Sequence, residues 1–176
     1  MIKDKYKNKF RNFKSGFSFL EILIYVSILS IIVVIVSNTF VSLSRGRGQS
    51  GARSEVNNAM RFSTELLRQD IKNASVITVP ATGSTSSTLT LTRGGVIIVY
   101  DVSGGALRRQ EGTNTPINLT NSNVLVSAPL FTRIENTNTL FSDTDVSLRI
   151  NMTFSYNSNN PDWIYSTSLQ TAVGLY

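Results

Sequence analysis

With 176 residues and neither cysteine nor histidine, the chain forms no disulfide and cannot build the common transition-metal sites or the usual nucleophile–base pairs. Its net charge of +6 is concentrated at one end: residues 1–16 hold Lys3, Lys5, Lys7, Lys9, Arg11 and Lys14 against Asp4, while residues 17–176 hold eleven basic and ten acidic residues. The bulk of the protein therefore has no basic surplus to draw it to nucleic acid, and the length suits one membrane segment plus one small domain.

After the basic tail, Ile22 to Leu43 is a run of 22 residues without formal charge, rich in Ile, Val and Leu. As a helix it would span roughly 33 Å, enough to cross a bilayer. A secretory signal would be shorter and end at a small-residue cleavage site. Here the run is followed by Arg45, Gly46, Arg47 and Gly48, so a transmembrane helix over 17–43 is expected. Six basic residues precede the run and three, Arg45, Arg47 and Arg53, follow it. The heavier side stays cytoplasmic, which sends the C-terminal part outward and gives a single-pass protein of the cytoplasmic membrane.

Glu21 interrupts the apolar pattern at its head, four residues after Phe17. A carboxylate at the centre of a membrane helix costs about 2.5–3.5 kcal/mol, so such residues have a partner or a function. Taken alone, Glu21 is equally readable as a solvated carboxylate in the headgroup zone.

The stretch Lys14-Ser15-Gly16-Phe17-Ser18-Phe19-Leu20-Glu21-Ile22-Leu23-Ile24 resembles the cleavage and methylation signature of type IV prepilins and pseudopilins. In that family a basic leader ends in Gly, the mature chain starts with Phe, a Glu stands fifth, and a long hydrophobic helix follows. The resemblance covers roughly residues 11–43. It implies that Gly16 is the last residue of a leader over 1–16, read by a prepilin peptidase on the cytoplasmic face. Phe17 becomes an N-methylated N-terminus. Glu21 pairs with the α-amine of a Phe17, that of a neighbouring subunit, as a register device for assembly. Partners implied are the peptidase, other pilins or pseudopilins, an inner-membrane assembly platform and membrane lipid. Two features depart from the pattern: the leader is longer than many, and Ser37-Asn38-Thr39 stands where pilins often have a proline.

Beyond the expected anchor, Gly46, Gly48 and Gly51 each cost about 1 kcal/mol in a helix interior, so Ser44 to Arg53 is expected to be either a helix break or a segment that melts on assembly. A helical period returns with Val56, Met60, Ser63, Leu67 and Ile71, an amphipathic stalk within 44–74. From Ser75 the signal is β. Thr88 to Arg93 alternates, Gly94-Gly95 offers a tight turn, and Val96 to Val102 is apolar; Gly104-Gly105 then leads to Ala106-Leu107-Arg108-Arg109, completing a meander. A further strand is expected around Val124 to Val126, broken by Pro129. Val146, Leu148, Ile150, Met152, Phe154 and Tyr156 alternate strictly with polar residues, the pattern of a strand with one buried face. Tyr165, Leu169, Val173 and Leu175 supply the return strand. The expected fold is α+β: a long N-terminal helix packed on an antiparallel β-rich domain over 75–176. At the level of pattern, residues 56–176 resemble the J-type minor pseudopilins and W-type minor pilins.

The expected function is that of a structural, minor subunit of a type IV pilus or type II secretion-like filament. Two other classes compete. An anchored extracytoplasmic enzyme would need a nucleophile elbow, metal cluster or phosphate loop, and the sequence contains none. Asp143, Asp145 and Asp162 read either as a calcium site or as turn carboxylates. A binding or adhesion and DNA-uptake tip subunit of the same filament class would use Arg108, Arg109 and the tyrosines, which read equally as solvated strand charges. No enzyme activity and no cofactor are expected.

Overall fold

A computed structural model describes residues 16–138 and 143–175; the basic leader through Ser15 lies outside them. The chain divides into an N-terminal unit ending at Leu43 and a second unit of Ser44–Tyr176. Helix α1 runs from Phe19 to Lys72.

In the first unit every residue from Gly16 to Leu43 is exposed except Glu21, which is partly covered. The helix reaches a mean hydropathy of 2.9 over its most apolar window and is long and apolar enough to cross a membrane. Three of its hydroxyls are provided for internally. Ser27 donates to the Leu23 carbonyl at 2.7 Å, Ser30 to Val26 at 2.7 Å and Thr39 to Ile35 at 2.9 Å. Each donor thus has a partner without needing water, as a hydrocarbon environment demands.

In the second unit, residues 44–53 are helical, so the expected break is absent. The glycine penalty is local, and a contact made far along the chain outweighs it. A Cβ on Gly48 would fall 2.0 Å from the indole Nε1 of Trp163. Gly48 is where the helix admits an aromatic ring to its backbone. From there on Ala52, Val56, Ser63, Leu67, Asp70 and Ile71 form the buried face, the 3.6-residue stripe read in the sequence.

That face packs on two antiparallel sheets, giving the α+β architecture expected. The first sheet has the order β1-β3-β4-β5-β6, from Val76–Val79, Leu89–Arg93, Val96–Ser103, Ala106–Glu111 and Ile117–Asn118. The second has the order β2-β7-β8-β9, from Thr85–Ser86, Val124–Asn138, Asp143–Tyr156 and Ser166–Gly174. The β3–β4 and β4–β5 hairpins turn on Gly94-Gly95 (φ 57° and 81°) and Gly104-Gly105 (φ 60° and 80°). Positive φ at both central residues matches the twist of the flanking strands, and only glycine takes it without strain. Pro129 does not end a strand: β7 continues past it, with a register shift between Ser127 and Leu130 and Ala128 at φ 49°. A bulge lets the missing amide of proline fall outside the ladder.

One core joins helix and sheets. Val56, Leu67 and Ile71 meet Leu89, Leu91, Ile98, Tyr100 and Leu107 from the first sheet and Phe131, Leu148, Ile150, Met152 and Phe154 from the second. A fully buried Leu, Ile or Phe contributes about 1.5–3 kcal/mol. Register is fixed by the same residues. A one-residue slip of β8 would turn Ser147, Arg149 and Asn151 inward in place of Leu148, Ile150 and Met152.

Candidate processing and assembly site

Gly16, Phe17 and Ser18 precede α1 and adopt no regular structure. Among the described residues nothing lies within 4 Å of the space a Gly16 side chain would occupy, and Phe17 is 74 % exposed. The peptide bond between them is therefore open to an approaching protein. The Ser18 carbonyl starts the helix by accepting from the amides of Glu21 at 3.0 Å and Ile22 at 3.2 Å. Glu21 thus sits in the first turn, where the exposed amide ends of the helix favour a negative charge. Its Oε1 accepts from the Tyr25 hydroxyl at 3.1 Å, one turn on. Tyr25 is the member of this group that sequence reading passed over; its spacing of four from Glu21 is the signal. Among the described residues no cation pairs with Glu21. Cutting the bond before Phe17 would turn an amide nitrogen into an ammonium four residues away, which supplies a charge of the missing sign.

The second unit holds a charge cluster of a different kind. Asp70 on α1 is wholly buried and accepts from Arg93 Nη1 at 2.6 Å, Arg109 Nε at 2.7 Å and the Tyr100 hydroxyl at 2.5 Å. Glu111 accepts from Arg109 Nη1 at 2.8 Å and Arg93 Nη2 at 3.4 Å. Two guanidiniums face two carboxylates, so the cluster is neutral and ties the helix to β3, β4 and β5. Nearer the start of this unit, Glu55 on the same helix accepts from the Asn121 and Asn123 amides at 2.6 and 2.9 Å. Arg108 is engaged by Asp101 across the β4–β5 pair, with Nε 2.9 Å from Oδ1. Arg108 and Arg109 are therefore spent within the fold and do not form a free binding pair. The suggested calcium set is not assembled either. Asp143 and Asp145 stand at the start of β8 and Asp162 lies beyond its far end, 3.2 Å from Arg45. The Asp143 side chain is outside the described residues, and among those described no cluster fit to hold a metal occurs.

The cluster makes stability depend on pH at both ends of the scale. Burial, and then the Asp70 carboxylate, push the Tyr100 hydroxyl well above its usual range. The unfolded chain would lose that proton near pH 10, the folded one later. The contribution is complete below the unfolded value and is lost as pH climbs above it. Glu111 runs the other way: hydrogen bonding from Arg109 and its charge hold it below the ordinary carboxylate range, so its contribution is present above the unfolded value and fades in acid. Tyr100→Phe is expected to cost about 1.5–3 kcal/mol at neutral pH through the lost bond to a charged acceptor. It should also flatten the loss of stability above about pH 10. Urea midpoints of both proteins at neutral and alkaline pH measure this; parallel losses would remove Tyr100 from the alkaline transition.

Comparison with known proteins found no matching family model, no matching curated protein and no matching solved structure.

Proposed function

We propose that the chain is a membrane-held precursor of a filament subunit of the type IV pilin and pseudopilin kind, of the minor class. A prepilin peptidase cuts it between Gly16 and Phe17, residues 17–43 hold it in the membrane, and the unit from Ser44 on faces outward. Other pilins or pseudopilins and an inner-membrane platform receive it. The observation that carries the reading is local: an exposed, irregular Gly16-Phe17-Ser18 stands before a helix whose apolar residues through Leu43 are all exposed and whose first turn holds Glu21. An apolar helix with no protein cover needs lipid or other helices around it. A carboxylate at its head then needs a cation, and cleavage provides one. The leader cannot help after processing, because its lysines leave with it.

In cells with a prepilin peptidase, the mature chain is expected to begin at N-methylated Phe17. Mass spectrometry of the N-terminal peptide from membrane and filament fractions tests this. A retained Met1, or a terminus beyond Leu43, would overturn it.

A further inference from the structure

Residues 157–165, between β8 and β9, grip the helix close to where its apolar run ends. Arg45 Nε lies 3.2 Å from Asp162 Oδ2, and Trp163 fills the space left by the absent side chain of Gly48. The Arg53 guanidinium stands 5.5 Å from the centre of the Tyr165 ring, and the Tyr165 hydroxyl is 3.5 Å from Asn57 Oδ1. The short helical turn Pro161–Trp163 is capped by Asn160, whose side chain accepts from the Asp162 amide. The segment is thus held firmly, yet it leaves apolar surface uncovered: Trp163 is 37 % exposed and Ile164 66 %.

Its place along the chain identifies what covers that surface. Gly48 follows Leu43, the last residue of the apolar run, by five residues, or about 7.5 Å of helix. The polar layer on each side of a bilayer's hydrocarbon is about 5–8 Å thick. A residue packed on Gly48 is therefore at the level of the headgroups when residues 17–43 span. The composition fits that layer: an indole with one apolar and one polar side, a bare isoleucine beside it, and Arg45, Arg47 and Arg53 against Asp162. Three cations against one carboxylate favour anionic phospholipid.

We propose that the 157–165 segment is a membrane-surface contact: Trp163 and Ile164 enter the boundary between headgroups and acyl chains, and the neighbouring arginines meet lipid phosphates. The contact seats the outer unit on the bilayer before assembly and is given up when the subunit leaves the membrane. It rests on the reading of residues 17–43 as the anchor.

Trp163 is the chain's only tryptophan, so intrinsic fluorescence reports this site alone. The full chain is placed in vesicles of neutral and anionic phospholipid whose acyl chains carry bromine near the glycerol end or near the methyl end. Bromine near the glycerol is expected to lower Trp163 emission about twofold, and bromine at the methyl end to do less, as for an interfacial indole. Ile164→Asp puts a charge on an exposed position, leaves the fold intact by circular dichroism, and is expected to abolish the quenching while the protein stays in the vesicles. Unquenched emission from wild-type protein that resists alkaline carbonate overturns the contact and leaves the anchor standing. Protein washed out by carbonate overturns both. Quenching that survives Ile164→Asp overturns the contact, as does an indole shielded only in assembled filaments, which would assign the patch to a neighbouring subunit.

Discussion

Replacing Asp70 by asparagine is expected to destabilise the unit of residues 44–176 by about 3–5 kcal/mol. The side chain is wholly buried and meets Arg93, Arg109 and Tyr100 at 2.5–2.7 Å. Asparagine keeps the shape but removes the charge, and it turns an amide donor toward groups that are themselves donors. Two guanidiniums would be left with Glu111 alone. The penalty comes from stranding charges already taken out of water. Replacing the whole cluster by apolar residues of equal volume could cost far less. Asp101→Asn is the control, because its partner Arg108 is about a third exposed and screened by solvent; it should cost far less than Asp70→Asn. Urea unfolding of a fragment starting at Ser44 measures both. An Asp70→Asn midpoint no lower than that of Asp101→Asn would show that the cluster does not hold the helix to the sheet.

If the chain is the filament subunit proposed, Glu21→Ala and Glu21→Gln are expected to lower its incorporation on the order of a hundredfold, the equivalent of about 3 kcal/mol for an unpaired amine in a low-dielectric bundle. Insertion should persist or improve, since the anchor becomes more apolar. Leader cleavage should persist too, because Gly16 and Phe17 are intact and exposed. Glutamine can still accept from Tyr25 as Glu21 does at 3.1 Å, so its failure would isolate charge from hydrogen bonding. The measurement is the ratio of the protein in sheared filaments to that in membranes, with co-purification of other pilins recorded alongside. Equal ratios for wild type and both variants would leave Glu21 as an interfacial carboxylate without an assembly role.

Elements governed by near neighbours were legible in the sequence. Strand β8 announced itself because six apolar residues alternate with polar ones, and Leu148, Ile150, Met152 and Phe154 are buried as that alternation demands. The two glycine pairs gave the hairpins, since both central residues of each turn need positive φ. Strands β2 and β6 have two residues each, too few to show any period. Gly48 was misread because its helix penalty is visible locally while Trp163, which uses the gap, lies near the other end of the chain. Asp70 left no short-range mark, for its partners stand 23, 30 and 39 residues further on. The Gly16–Glu21 group is contiguous in the sequence and its processing role is a proposal, whereas Arg108 and Arg109 looked available until the ladder set them beside Asp101, Asp70 and Glu111.

Beyond the apolar core they share, the helix and its sheet are joined by charge and not by sulfur. With no cysteine in the chain, the junction of Asp70 with Arg93 and Arg109 closes as soon as the strands meet. It waits on no oxidant and risks no mispaired intermediate. The unit of residues 44–176 is accordingly expected to fold to the same state in a reducing solution as in an oxidising one. A reductant that would open a sulfur-stapled domain leaves this one closed.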